Sequence, residues 1–193
     1  MARQAGGMND LQTKLSRRLS YLLRHAPHEA GLTLEPGGWV RVDDLLAGLR
    51  RLGVAATREA VETVVRTNDK RRFSLDGAGE RIRANQGHSV PVDLELTPSV
   101  PPDALYHGTV RAATGDIFRE GLRPMARHHV HLSPDTATAV RVGARRGRPV
   151  VLRVDAAGMH AAGHRFYCSE NGVWLTDTVP PAFLSVLPAD GTP

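Results

Sequence analysis

The sequence predicts an α+β protein of two lobes, and three observations carry that prediction. Amphipathic helical periods dominate residues 8–86 and end in a two-stranded hairpin. A proline-rich stretch without helical period occupies residues 87–104. From 105 to 193, short apolar strand candidates alternate with short helices, the pattern of a bent, mostly antiparallel sheet.

In the N-terminal lobe, Leu11, Leu15, Leu19 and Leu22 recur every three or four residues, with Asn9 placed as N-cap and Pro27 as stop. This predicts a helix over 10–26. Gly37-Gly38-Trp39-Val40 predicts a turn into a short strand. Helices follow over 43–51 and 58–68, with Asp43 and Thr57 as caps. Residues 72–75 and 80–85 flank Asp76-Gly77-Ala78-Gly79, a hairpin with a glycine-rich turn. Helices closing on a two-stranded wing predict a winged-helix module. Pro91, Pro98, Pro101 and Pro102 mark 87–104 as a linker. In the C-terminal lobe, strands are predicted at 105–107, 130–133, 150–154, 173–176 and 184–187, and helices at 114–120 and 136–145. Gly147, Gly158, Gly163 and Gly172 read as turns between them, and no internal repeat is present.

Charge is distributed unevenly. Residues 1–86 carry 15 Lys+Arg against 10 Asp+Glu, and residues 87–193 carry 10 against 10, so the whole +5 excess lies in the first half. A basic half attracts polyanions and points to nucleic acid. Lysine occurs only at Lys14 and Lys70, however, so arginine-rich codon usage is an equally good account of the excess. No apolar run approaches a membrane span, and the first seven residues lack the apolar core of a signal peptide. The lone Cys168 can form no internal disulfide. A cytoplasmic monomer with no membrane partner is therefore expected.

Four features carry chemistry. The first helix ends in Arg24-His25. At about 100° per residue, Arg24 lies nearly opposite the leucine stripe and His25 at its edge. The alternative account is that cations simply complement a helix C-terminus. Asn68-Asp69-Lys70-Arg71-Arg72-Phe73 places three consecutive cations between a helix and a strand, which suits a phosphate or is a solvated loop. Tyr106-His107-Gly108-Thr109 and Arg127-His128-His129-Val130-His131-Leu132-Ser133 each put a histidine on a strand candidate. Glycine lets backbone approach a ligand, and a neutral imidazole can both donate to and accept from ribose hydroxyls. His129 and His131 share a strand face that His128 does not, and no further Cys or His stands at ligand spacing, so no zinc site is expected. Asn171-Gly172-Val173-Trp174-Leu175 is a turn into an apolar strand and by itself reads as core. Dinucleotide fingerprints of the G-x-G-x-x-G kind and Walker loops are missing from the sequence.

Taken in order, these motifs resemble the RNA 2′-phosphotransferase family. The resemblance rests on L-S-x-x-L-S-x-x-L-R-H at 15–25, G-G-W-V at 37–40, N-D-K-x-R-F at 68–73, H-G-T at 107–109, R-x-H-V-H-L-S at 127–133 and N-G-V-W-L at 171–175. It implies an N-terminal winged-helix lobe and a C-terminal ADP-ribosyltransferase-like lobe that binds NAD⁺ as co-substrate, with no metal. It also implies a catalytic set matching Arg24, His25, Arg72 and Arg127, and a partner RNA bearing a 2′-phosphate. His107, Gly108, Thr109, His131, Leu132 and Ser133 fall at the family's nicotinamide-side positions. Gly143 and Arg146 belong to the segment where the family contacts the dinucleotide. Val173 stands where toxin-type transferases commonly carry Glu, which argues against a protein side chain as acceptor, since a phosphate is already an anionic nucleophile. Arg17 departs from the lysine common in the family.

The chemistry implied by the resemblance has two steps. The RNA 2′-phosphate attacks the nicotinamide-bearing ribose carbon, and the ribose 2″-hydroxyl then attacks phosphorus. Repaired RNA and ADP-ribose 1″,2″-cyclic phosphate leave. Two rival readings stand beside it: an ADP-ribosyltransferase acting on terminal phosphates of RNA or DNA, and a winged-helix, nucleotide-sensing DNA-binding regulator.

Overall fold

The computed structural model describes residues 9–188. Residue 8 and residues 189–193, counted in the two expected lobes, lie outside them, as does the segment read for a signal peptide. The chain divides into two units, one running to Glu95 and the other starting at Leu96. Helix and strand are mixed in both, as an α+β class requires.

In the first unit, α1 (Asp10–Arg24) opens on a capping box. Asn9 accepts from the Gln12 amide, and Gln12 accepts from the Asn9 amide, each at 2.9 Å. The helix stops two residues short of expectation because Ala26 precedes Pro27 and is driven out of helical geometry. Leu19, Leu22 and Leu23 are fully buried, but Leu11 sits before the core begins and is 75% exposed. Strand β1 (Trp39–Arg41) runs without a loop into α2 (Val42–Arg51). Asp43 is therefore not the cap; it sits in the first turn and pairs with Arg58 at 2.7 Å. Thr57 does cap α3 (Arg58–Thr67), accepting from the Ala60 amide. Strands β2 (Phe73–Leu75) and β3 (Arg81–Ala84) form the expected hairpin, and β1 joins it as a third strand in the antiparallel order β1-β3-β2. Val40, Phe73 and Ile82 face the helices, where Leu45, Leu49, Val61 and Val64 complete one core. Each such aliphatic burial contributes about 1.5–3 kcal/mol.

Residues 87–95, part of the expected linker, are bonded to this first unit. The Ser89 amide donates to the Arg24 carbonyl (2.9 Å), the Gly37 amide donates to the Asp93 carbonyl (2.8 Å), and His88 and Leu94 are buried.

The second unit has its own core, centred on Leu105, Leu132, Leu152, Val154, Met159 and Phe166. Strand β4 (Ala104–Val110) is longer than expected and passes directly into α4 (Arg111–Glu120). Strands β5 (Val130–Leu132), β6 (Pro149–Asp155), β8 (Trp174–Thr176) and β9 (Leu184–Val186) and helix α5 (Thr136–Gly143) fall close to their expected places. Not foreseen were α6 (Ala156–Ala161), β7 (Phe166–Cys168) and a short 3-10 turn at Pro181–Phe183. Gly158, read as a turn, lies inside α6, where its amide donates to the N-cap Asp155 and the carboxylate leaves no space for a Cβ. The strands form two antiparallel sheets, β4-β6-β9 and β5-β8-β7, linked by the bridge Tyr106↔Ser133. Among the described residues, no helix is long and apolar enough to cross a membrane.

Candidate active site

Three of the proposed catalytic residues belong to the first unit, and buried amides organise the ground around them. Asn68, at the end of α3, is 3% exposed and points its side chain between helix and loop. Its Nδ2 donates to Ser16 Oγ on α1 (3.0 Å), while its Oδ1 accepts from the Lys70 amide (3.0 Å) and from Arg72 Nη1 (3.4 Å). Asn85 closes the same loop from the other side. Its Nδ2 donates to the Arg71 carbonyl (2.8 Å) and its amide to the Arg72 carbonyl (2.9 Å). Between these ties Arg71 is held at φ +41°, a left-handed conformation that non-glycine residues adopt only under constraint. A pocket of about 350 Å³ results. Thr13, Ser16 and Arg17 line it from α1, and Asn68, Asp69, Lys70 and Arg72 line it from the loop.

Arg24 and His25 stand at the other end of α1. His25 Nδ1 meets Ser89 Oγ at 2.9 Å, and a Cβ added at Gly87 would lie 3.8 Å from the Arg24 guanidinium. The segment after β3 thus fixes both residues from outside the helix. Helix macrodipole complementarity, the bland account of this pair, does not require such anchoring.

In the second unit, His107 on β4 turns toward β5, and its Nδ1 lies 3.2 Å from the His131 carbonyl. A carbonyl can only accept, so Nδ1 carries the proton and Nε2 of neutral His107 is an acceptor. Burial, reinforced by the nearby Arg146 cation, holds the His107 imidazole below the usual histidine range; the His131 carbonyl opposes this. His131 is oriented the same way, its Nδ1 donating to the His129 carbonyl at 3.0 Å. Ser133 follows two residues on and exchanges both main-chain hydrogen bonds with Tyr106. The bridge Tyr106↔Ser133 and the His107–His131 bond hold β5 against β4, and Leu132 and Thr109 are buried there.

Gly108 and Gly143 sit where helix α5 and strand β4 pack closely. A Cβ on Gly108 would overlap the Ala139 carbonyl oxygen of α5, and one on Gly143 would come within 2.8 Å of the Thr109 carbonyl oxygen. The backbone that approaches Gly108 closely is helix α5. Arg127 precedes β5, and partial burial, then Arg146 and Arg145, push its guanidinium below the usual arginine range. Val173 lies just before β8, in a turn closed by the Ser169 amide donating to its carbonyl (3.0 Å). Among the described residues, no group of three or more His, Cys, Asp and Glu is arranged to hold a metal ion.

The family model described as "RNA 2'-phosphotransferase, Tpt1 / KptA family" matches residues 10–178. The chain belongs to that family. A protein of Streptomyces griseus named "Probable RNA 2'-phosphotransferase" is 58% identical, covering 89% of this chain and 94% of that protein. Proteins of the same name in Nostoc punctiforme and Burkholderia lata are 56% and 57% identical, each over 89% of this chain and over 94% and 89% of their own lengths. Every candidate residue from Arg24 to Val173 lies within the span the family model matches. Sequence reasoning gave no role to Asn85 or Ser89, and met Ser16 and Asn68 only as members of motifs. The signal for Asn68 was present: a short amide one residue past a helix has its side chain free to bond neighbouring main chain.

Proposed function

We propose that this member of the family is an NAD⁺-dependent transferase that moves an internal 2′-phosphate of RNA to ADP-ribose. Nicotinamide, 2′-hydroxyl RNA and ADP-ribose 1″,2″-cyclic phosphate are released. The single observation that carries the reading is the family match, which spans both units and contains every candidate residue. The first unit is read as a winged-helix lobe, supported by its helices closing on the β1-β3-β2 sheet. The second is read as the ADP-ribosyltransferase-like lobe, supported by its paired antiparallel sheets. A lone, exposed cysteine accords with a cytoplasmic enzyme, and we take it to act as a monomer.

The residues of the second unit suit a dinucleotide. Neutral His107 offers Nε2 as acceptor for a ribose hydroxyl, and Ser133 and Thr109 offer hydroxyls of their own. Their task is to hold the reacting ribose so that its nicotinamide-bearing carbon faces the incoming phosphate. Arg127 and Arg146 answer the charge of a pyrophosphate or of the transferring group. In the first unit, Arg72 is steadied by Asn68, and His25 by Ser89. Arg24, Arg72 and Arg127 would stabilise the charge that gathers on the phosphoryl oxygens when the 2″-hydroxyl attacks phosphorus.

The test is incubation of the purified protein with NAD⁺ and an oligonucleotide bearing an internal 2′-phosphate. Nicotinamide and the cyclic phosphate should appear in equal amounts. A matched 5′-phosphorylated oligonucleotide serves as the second arm. If that substrate alone releases nicotinamide and retains ADP-ribose, the activity is end ADP-ribosylation and the proposal is wrong.

A further inference from the structure

Among the described residues, three non-glycine residues stand at positive φ: Arg71, Glu95 and Met125. Arg71 immediately precedes Arg72, and Met125 lies two residues before Arg127, so two of the three stand beside arginines of the proposed catalytic set. Main-chain and side-chain bonds to Asn68 and Asn85 hold Arg71. Met125 (φ +57°) sits at the tip of a turn that the Arg127 amide closes by donating to the Pro124 carbonyl (3.1 Å). One foot of this turn is Leu122, which exchanges both main-chain hydrogen bonds with Val179 (2.9 and 3.0 Å); the other is Val130, paired with Thr176 in the sheet. The tip is thus anchored on both sides. Met125 is nevertheless 88% exposed, the most of any large hydrophobic side chain among the described residues. A methionine disfavours the left-handed conformation, and so exposed a side chain gains too little packing to offset that cost. Strain kept at an anchored, exposed position beside a functional group points to a ligand that meets it.

The surroundings identify the chemistry of that ligand. Residues 121–134 carry Arg123, Arg127 and three histidines and no carboxylate, and Glu120 pairs only with the Arg123 side of the turn (3.4 Å). An apolar tip with an arginine two residues to either side fits a nucleotide, with phosphate for guanidinium and flat base for thioether. Methionine sulfur is polarizable and packs favourably against π systems. We infer that Met125 is a substrate-contact residue that packs against the nucleobase of the RNA nucleotide bearing the 2′-phosphate. The inference rests on the function proposed above, in which Arg127 meets the transferring phosphate. Arg127 closes the turn with its own amide, so the base contact and the phosphate contact belong to one rigid turn. Seating the base on Met125 therefore also places Arg127. A nucleobase reaches this tip from solvent, whereas the residues proposed to hold the reacting ribose lie on β4 and just beyond β5.

Fluorescence anisotropy without NAD⁺ compares two oligonucleotides with the same internal 2′-phosphate, one complete and one abasic at the phosphorylated nucleotide. Wild type should bind the complete form roughly fivefold tighter or more, the low end of what stacking one base contributes. Met125→Gly should lose that preference while binding the abasic form as wild type does. Met125→Leu, which keeps an apolar side chain, should retain most of the preference. Met125→Gly should melt at least as high as wild type, because glycine adopts positive φ without steric cost. Its NAD⁺ affinity, measured by calorimetry without RNA, should be unchanged. Three results would each overturn the inference. Equal losses on both oligonucleotides together with a lower melting temperature would make Met125 a structural residue. A preference that survives Met125→Gly would mean that no base rests there. A loss confined to NAD⁺ binding would put the nicotinamide ring, and not the RNA, on the thioether. Failure of the functional reading shows up separately, as absence of nicotinamide release by wild type given NAD⁺ and the complete oligonucleotide.

Discussion

The cations of the first unit stand on side-chain amides, whereas the imidazoles of the second stand on main-chain carbonyls. Asn68 and Asn85 bind the loop that carries Lys70 and Arg72. His107 and His131 are oriented by the carbonyls of His131 and His129, which the strand pairing sets in place. An amide scaffold can be removed by one substitution without touching the fold's hydrogen-bonded ladders. A carbonyl scaffold can be disturbed only by moving a strand or the helix behind it. The first unit is therefore vulnerable residue by residue, and the second through its packing.

The largest expected effect tests the packing side of this contrast. Gly108→Ala places a methyl group into the Ala139 carbonyl, which is main chain and cannot swing away. Helix α5 must retreat from β4, at a cost of about 3 kcal/mol or more. Thermal denaturation followed by near-ultraviolet circular dichroism should show a large loss, with NAD⁺ binding lost alongside. Gly143→Ala should cost less, because its nearest contact is longer. If Gly108→Ala melts like wild type, the close approach of helix and strand is not what fixes glycine here.

The next effect lies on the amide side. On the proposed role of Arg72 as a phosphate ligand, Arg72→Ala should cost about 1.5–3 kcal/mol or roughly ten- to hundredfold in rate. The loss should fall mainly on the second step, since the attacking phosphate brings its own charge to the first. ADP-ribosylated RNA phosphate should then accumulate in rapid-quench samples. His107→Ala should instead slow the initial attack and leave no intermediate. The reverse pattern would exchange the roles of the two units.

How much of this could be read from the sequence follows the same division. The first helix was legible because its leucine period and its stops at Asn9 and Pro27 are local. The cationic motifs were legible as candidate phosphate ligands for the same reason. The position of Asn68 just past a helix signals a local main-chain bond, but the Ser16–Asn68 bond joins residues 52 apart and has no local signal. The role of Gly108 depends on Ala139, a partner that periodicity cannot supply. Helix α6 was missed because Gly158 carries a turn signal locally, while Asp155 caps the helix through it. Asp43 was misplaced because strand β1 enters α2 with no loop between them.

A smaller effect should follow from removing the amide that supports Arg72. Asn68→Ala deletes the partner of Ser16, the Lys70 amide and Arg72 together, and a lost buried hydrogen-bonding group costs about 1–3 kcal/mol. The loop loses an anchor near Arg71, whose left-handed conformation depends on constraint from both sides. Hydrogen exchange of the 69–72 amides should quicken while the α2 amides stay protected. Loss of protection throughout the first unit would mean that Asn68 holds up the core as well as the loop.

The smallest effect concerns acidity, at two histidines of the second unit. Burial lowers the imidazole pKa of His107, with Arg146 adding to the effect, and burial also lowers that of His129 against the pull of Asp177. A lowered folded-state pKa means that the unfolded chain binds more protons between that value and the ordinary histidine pKa of about 6.5. Stability from these groups is thus fully present above about pH 6.5 and is lost as pH falls through the folded-state values. Melting temperature should decline as pH is lowered from 7.5 toward 5.5, before the carboxylates begin to titrate. His107→Gln removes the ionisable ring, so its melting temperature should fall less steeply over the same range. On the proposed role of His107 beside the nicotinamide ribose, its protonation adds a cation near a positively charged ring, so NAD⁺ affinity should weaken over the same interval in wild type and not in the variant. A melting curve that improves on acidification, or an equal pH slope in wild type and variant, would mean that His107 is not held neutral by burial between β4 and β5.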